Sequence, residues 1–76
     1  MNVSEKEFEF MKGIIIRDMT SQLVSDFDMG FEQALDAVYE SETFEKLGDP
    51  ETGLYYQSPL YVYSYLKEEI ENGRMS

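Results

Sequence analysis

The sequence contains no cysteine and no histidine. Without cysteine the chain can form neither a disulfide nor a thiolate zinc site. Without histidine it lacks the commonest metal ligand and the commonest general base of enzymes. A length of 76 residues predicts a single domain over residues 1–76. Because the core of so small a domain is thin, oligomerisation is the remaining way to add stability, and a homodimer is one expected state.

Basic residues are also few: six Lys and Arg stand against sixteen Asp and Glu, for a net charge of −10. Nucleic acids and anionic membrane surfaces would repel such a chain, because affinity for both comes largely from Lys and Arg. The charge therefore predicts no nucleic-acid partner and no membrane partner, whereas a basic protein would be attracted. The simpler interpretation is that the charge only keeps the protein in solution.

Long apolar runs are missing as well. No segment approaches the ~20 apolar residues of a membrane-spanning helix. The first seven residues are acidic rather than basic, and no long apolar stretch follows them, which argues against a secretory signal. We therefore expect a cytoplasmic protein.

No motif for catalysis, metal binding or cofactor binding is visible. Asp26-x-Asp28-x-Gly30 begins like a calcium loop, but the positions that need Gly and Glu hold Phe31 and Ala37. No histidine is present to activate a serine nucleophile. A carboxylate-based enzyme or metal binder is the least favoured alternative, because helical hairpins of this size rarely enclose a cleft. We expect a protein that is not an enzyme and that binds no cofactor and no metal.

A long first helix is predicted from Ser4, which forms a capping box with Glu7, to about Asp26. One apolar stripe on it comprises Phe8, Met11, Ile15, Met19 and Leu23, widened by Ile16 and Phe27, while Phe10, Ile14 and Val24 fall on the other side. A helix that is apolar on two sides is buried on both or lends one to a partner. The β-branched run at residues 14–16 leaves a short strand within residues 8–16 as an alternative.

The middle of the chain predicts two shorter helices. The first starts at Gly30, and its apolar face comprises Phe31, Ala34, Leu35, Val38 and Tyr39. Ser41 either caps a separate short helix over residues 42–47 or interrupts a continuous one. Gly48 is placed to end that helix in the left-handed conformation, and residues 49–53 form a tight turn.

The last helix has the strongest start signal, a Ser cap followed by Pro at the first helical position in Ser58-Pro59. Residues 54–57 are predicted to be extended, because Ser58 precedes a proline. The helix runs to about Glu71, with an inner face of Val62, Tyr63, Leu66 and Ile70, and residues 74–76 are predicted to fray. The expected fold is all-α, a small irregular bundle of three main helices plus one short helix, with a tight turn before the C-terminal helix.

Tyrosines are concentrated in residues 55–65, at positions Tyr55, Tyr56, Tyr61, Tyr63 and Tyr65. One helix cannot aim all of them at a single core, so at least one or two should be half exposed, and tyrosine is enriched in protein interfaces. Stacking on bases is disfavoured because the segment contains no Lys or Arg. The expected partner-contact residues are Tyr55, Tyr56, Tyr61, Tyr65, Phe10 and Ile14. The alternative is that each tyrosine completes the thin core.

Residues 32–47 (EQALDAVYESETFEKL) and 49–66 (DPETGLYYQSPLYVYSYL) together resemble a family of short uncharacterised bacterial proteins with a TGLY..SP.YVY motif. The matching positions are Thr52, Gly53, Leu54, Tyr55, Ser58, Pro59 and Tyr61. The resemblance implies an operon companion of small toxin-type or other uncharacterised genes with an antitoxin-like binding role, and it implies no catalytic residue.

We therefore expect a non-enzymatic protein–protein interaction module, an antitoxin-like protein or an adaptor, that acts on a basic partner. The alternative is a structural homodimer without a specific heteropartner.

Overall fold

The computed structural model describes residues 4–73, and in this range it contains four α-helices, two 3₁₀ turns and no β-strand. The helices are α1 (Glu5–Phe27), α2 (Phe31–Glu40), α3 (Glu42–Leu47) and α4 (Pro59–Asn72), and the 3₁₀ turns are Pro50–Thr52 and Leu54–Tyr56. The all-α prediction of three main helices and a short one is confirmed. The alternative of a strand within residues 8–16 is wrong, because α1 is continuous there. The tail predicted to fray, residues 74–76, lies outside the described residues.

Serine caps begin three of the four helices where the sequence predicts them. The Oγ of Ser4 accepts a hydrogen bond from the amide of Glu7 at 3.1 Å, and the Glu7 carboxylate accepts one from the Ser4 amide at 3.1 Å. The Oγ of Ser41 accepts from the amide of Phe44 at 3.0 Å, and Ser58 caps α4 in the same way. Each bond satisfies a backbone donor that the first helical turn leaves without a partner.

Two local predictions between α3 and α4 are wrong. Gly48 ends α3 at φ −75°, in the right-handed region instead of the left-handed one, and its amide donates to the carbonyl of Phe44 at 3.0 Å. Residues 54–56 form a 3₁₀ turn instead of an extended segment. This turn packs against α1 and buries Leu54 and Tyr55, a long-range contact that no local pattern shows.

The core forms where α1 packs against α2, α4 and the second 3₁₀ turn. Its buried apolar residues are Ile15, Met19, Leu23, Ala34, Val38, Leu47, Leu54, Tyr55, Val62, Tyr63 and Leu66. The inner stripes predicted for α1 and α4 are thereby confirmed. The predicted apolar face of α2 is only partly right, because Phe31 and Tyr39 at its edges are exposed. Over residues 4–73, none of the helices combines the length and the apolar character that crossing a membrane would require.

A carboxylate from α4 holds the N-terminal end of α3. Glu69 accepts a hydrogen bond from the amide of Glu42 at 2.7 Å and from the amide of Thr43 at 3.1 Å. The hydroxyl of Thr43 donates to the same carboxylate at 2.8 Å. These three bonds, which we call the Glu69 clasp, join elements 26 and 27 residues apart.

Candidate partner-binding surfaces

The structure divides the predicted tyrosines between the core and the surface. Tyr55 is only 3% exposed and belongs to the core, so its selection as a partner-contact residue is corrected. Tyr56 is 50% exposed and Tyr61 is 46% exposed, while Tyr65 is half-buried. The expectation that one or two tyrosines of this segment are half exposed is confirmed.

Tyr63 lies in the core and joins α4 to α1. Its hydroxyl donates a hydrogen bond to Oδ2 of Asp26 at 2.7 Å. Burial, together with this bond to a carboxylate, raises the pKa of Tyr63 well above its ordinary value. The residue therefore remains a neutral hydrogen-bond donor at physiological pH and has a structural role.

The outer side of α4 presents a pair of tyrosines at its surface. The hydroxyls of Tyr61 and Tyr65 lie 2.8 Å apart in a hydrogen bond, and the rings meet edge to face with centroids 5.2 Å apart. Because the two residues are four positions apart, they share one side of the helix, and Glu68 follows on that side. We call Tyr61, Tyr65 and Glu68 the tyrosine face. Hydrogen bonding to Tyr61, partial burial and the nearby charge of Glu68 raise the pKa of Tyr65.

The second 3₁₀ turn carries Tyr56, the other exposed tyrosine of residues 55–65, and Thr52 fixes the position of this turn. The hydroxyl of Thr52 donates to the carbonyl of Lys46 at 2.7 Å and accepts from the amide of Leu54 at 3.2 Å. Gly53 between the two 3₁₀ turns has φ +71°, which an L side chain rarely adopts. Thr52 and Gly53 therefore fix the conformation of the turn that carries Tyr55 and Tyr56.

An open groove lies between the N-terminal turns of α1 and the two 3₁₀ turns. It is lined by Glu5, Phe8, Pro50, Glu51, Gly53, Tyr55 and Tyr56, and we call it the aromatic groove. The rings of Tyr55 and Tyr56 stack with centroids 4.6 Å apart, and the ring of Phe8 meets Tyr55 edge to face at 5.0 Å. Sequence patterns missed Phe8, Glu5 and Glu51 as neighbours of the tyrosines, because only the tertiary fold brings α1 to the 3₁₀ turns.

The outer side of α1 is the third candidate surface. Phe10 is 69% exposed, and Ile14, one turn later, is half-buried. The basic residues Lys6 and Arg17 are four and seven positions from Phe10, so they lie on the same side of the helix. We call this surface the Phe10 face. Apart from the buried Tyr55, the predicted contact residues thus fall into three groups instead of forming one site.

One further aromatic pair was missed. Tyr39 and Phe44 meet edge to face with centroids 5.0 Å apart, and Glu40, Glu42 and Glu45 surround them. The sequence pattern had placed Tyr39 on the inner face of α2. Because this pair also combines aromatic rings with carboxylates, it provides a matched control for the surfaces above.

The chemistry that these surfaces offer is apolar contact, hydroxyl groups and mostly negative charge, with basic residues on the Phe10 face and beside the tyrosine face. Across the described part of the chain, no group of three or more acidic side chains is placed to hold a metal ion. Comparison with protein families, curated proteins and solved structures finds no match to this chain. The resemblance to the TGLY..SP.YVY family therefore stays a prediction, and the function has to be argued from the surfaces themselves.

Proposed function

We propose that this chain is a non-enzymatic protein-binding module that docks a basic partner on its tyrosine face. The observation that supports this proposal is the Tyr61–Tyr65 pair, two large side chains that are hydrogen-bonded to each other at the surface of α4. Tyrosine combines a large contact area with a polar tip, which is why it is common in interfaces. Because the mutual bond already restricts both side chains, less conformational entropy is lost when a partner binds.

Charge indicates the class of partner. Glu68 and Glu71 border the tyrosine pair together with one basic residue, Lys67, and the whole chain has a net charge of −10. A basic protein would be steered toward such a surface, and its Lys or Arg side chains can contact both the rings and the carboxylates. The role that fits is an antitoxin-like protein or an adaptor that neutralises a basic protein in the cytoplasm, in line with the resemblance described above.

Affinity capture with matched variants tests the proposal. The baits are the wild type, Tyr61→Ala/Tyr65→Ala, and the control Phe31→Ala/Tyr39→Ala, which removes two exposed aromatic side chains from α2. In extracts of the source organism, the wild type and the control should retain the same basic protein. The α4 variant should retain it about tenfold more weakly, since truncated aromatic hot spots commonly have effects of this size. Equal capture by all three baits would contradict the use of the tyrosine face.

A homodimer formed through the Phe10 face is the second candidate. Phe10 is a large apolar side chain that is mostly exposed, and this side of α1 carries the basic Lys6 together with the acidic Glu7 and Glu9. In a symmetric dimer the basic residues of one copy can face the acidic residues of the other, which offsets part of the repulsion between two acidic chains. Sedimentation equilibrium should show a dimer for the wild type at micromolar concentration and a monomer for Phe10→Glu. A wild type that stays monomeric throughout this range would exclude the dimer.

A further inference from the structure

The aromatic groove presents a rigid aromatic surface to solvent. Tyr55 is fixed in the core, and Tyr56 stacks on it with the ring planes 20° apart. Half of the Tyr56 side chain is nevertheless exposed. The ring of Phe8 is nearly perpendicular to that of Tyr55, at 76°. A ligand in the groove therefore meets aromatic rings in two orientations. The ring of Tyr55 is already held in place by the core before a ligand binds.

Both charged residues that line the groove are acidic, among the residues that the structure describes. Glu5 belongs to the first turn of α1, and Glu51 belongs to the first 3₁₀ turn. The two carboxylates thus enter the groove from different elements. A planar cation fits this combination, because a guanidinium group can stack on an aromatic face while its N–H groups donate to carboxylates.

The chain itself already places a cation on one of these rings. Nζ of Lys12 lies 5.1 Å from the centroid of the Phe8 ring and 3.3 Å from Oε2 of Glu9. An aromatic ring and a carboxylate thus hold an ammonium group one helical turn from the groove. This contact uses Phe8, whereas Tyr56, which is 50% exposed, is a separate lining residue of the groove.

We infer that the aromatic groove receives an arginine side chain of a protein partner, with the guanidinium group stacked on Tyr56 and paired with Glu5 and Glu51. The inference rests on the proposed binding role, but it concerns a surface other than the tyrosine face. Either surface can therefore fail its test while the other stands.

The test is an NMR titration of the full ¹⁵N-labelled chain with the peptide acetyl-Gly-Arg-Gly-amide. Backbone amides of residues 51–56 and of the first two turns of α1 should shift, with a dissociation constant on the order of 1 mM, as expected for one side chain. A peptide with lysine instead of arginine should bind about threefold more weakly, because an ammonium group does not stack as a plane. A peptide with citrulline has the shape of arginine without its charge, and it should give no saturable shift.

Two variants of the groove should weaken binding of the arginine peptide by about threefold or more, namely Tyr56→Leu and the double change Glu5→Gln/Glu51→Gln. The matched controls are Tyr39→Leu and Glu40→Gln/Glu45→Gln, which alter an aromatic ring and two charges at the Tyr39–Phe44 surface. These controls should bind the peptide as the wild type does. The double Gln variants have equal net charge, so a difference between them reports on the groove alone.

Three results would overturn the inference. Equal binding of the citrulline and arginine peptides would show that the positive charge has no role. Equal weakening by groove variants and control variants would mean that net charge or general surface stickiness causes the shifts. Absence of any shift in the groove would also overturn it, and continued capture of a basic protein through the tyrosine face would then leave the proposed function intact.

Discussion

At the scale of single residues, the hydrogen bond from Tyr63 to Asp26 is the clearest link between α1 and α4. We expect Tyr63→Phe to lower the free energy of unfolding by about 1 kcal/mol, since the bond ends on a carboxylate but Asp26 is solvent-exposed. Urea denaturation at neutral pH measures the change. Tyr39→Phe, which removes a hydroxyl from an exposed ring, is the control and should leave stability within error.

The same residue makes stability depend on alkaline pH. The folded protein raises the pKa of Tyr63 above the ordinary value of about 10, so it holds this proton more tightly than the unfolded chain does. The contribution of the Tyr63 hydroxyl to the free energy of unfolding is complete below pH ~10 and declines as the pH rises above that value. The stability difference between the wild type and Tyr63→Phe should therefore be smaller at about pH 11 than at about pH 8. A difference that stays constant over this range would refute the linkage.

Alanine substitutions at three glycines should have opposite effects on stability, according to the backbone conformation at each position. Gly13 lies inside α1 with no atom near an added Cβ, and Gly48 has a right-handed backbone, so Ala should stabilise the protein at both positions by about 0.5–1 kcal/mol. Gly53→Ala should instead destabilise by about 1 kcal/mol, because φ is +71° there. Thermal denaturation of the three variants checks these signs, and stabilisation by Gly53→Ala would contradict the assigned turn.

At the scale of elements, α3 depends on the Glu69 clasp. A helix of six residues is far too short to be stable alone in water. The clasp satisfies two backbone amides and the buried Thr43 hydroxyl from a different helix. The position of α3 therefore depends on α4 being formed and docked.

Removing the carboxylate should uncouple these two elements. We expect Glu69→Ala to lower the free energy of unfolding by about 2 kcal/mol, because two amides and a buried hydroxyl lose their acceptor. Glu68→Ala, on the exposed tyrosine face, is the neighbouring control and should change it by less than about 0.5 kcal/mol. Hydrogen exchange should show faster exchange at Glu42 and Thr43 in Glu69→Ala. Unchanged exchange at both amides would argue against the clasp.

Local chemistry explains which elements could be predicted from the sequence. The starts of three helices could be predicted from their serine caps, Ser4, Ser41 and Ser58. Each serine hydroxyl accepts a hydrogen bond from an amide only three residues later, so the signal is local. The 3₁₀ turn at residues 54–56 could not be predicted in this way. It depends on burying Leu54 and Tyr55 against α1, where Tyr55 meets the ring of Phe8 from the first part of the chain. A proline disfavours helical backbone only at the residue directly before it, here Ser58, which is extended. The rule therefore does not reach residues 54–56.

At the scale of the whole molecule, negative charge is largely unpaired. Ion pairs within residues 4–73 are limited to Lys12–Glu9 and Arg17–Asp18, against a net charge of −10 for the chain. Mutual repulsion in the folded state should be screened by salt. We expect the melting temperature to rise by roughly 5 °C between low and moderate NaCl concentration, which for a domain of this size is about 1 kcal/mol. A melting temperature that falls with added NaCl would show that attractive pairs dominate instead.

The candidate surfaces were predictable only where they lie on one helix. Spacing along α4 placed Tyr61 and Tyr65 on one side, and spacing along α1 separated Phe10 from the core stripe. The aromatic groove was not predictable, because Phe8 and Tyr55 meet only after the chain has folded back on itself. The same fold buried Tyr55, which the clustering of tyrosines in residues 55–65 had assigned to an interface.

The Glu69 clasp also bears on the order in which the protein acquires structure during synthesis. The amide of Thr43 leaves the ribosome 26 residues ahead of the carboxylate that will hold it. Until that carboxylate arrives, α3 is stabilised only by the few backbone hydrogen bonds within its own six residues. The core residue Leu47 at its end also lacks the packing that α4 provides to α3. Native structure in the middle of the chain should therefore appear late and together with the last helix, so that ribosome-bound fragments ending before residue 69 would remain susceptible to proteases.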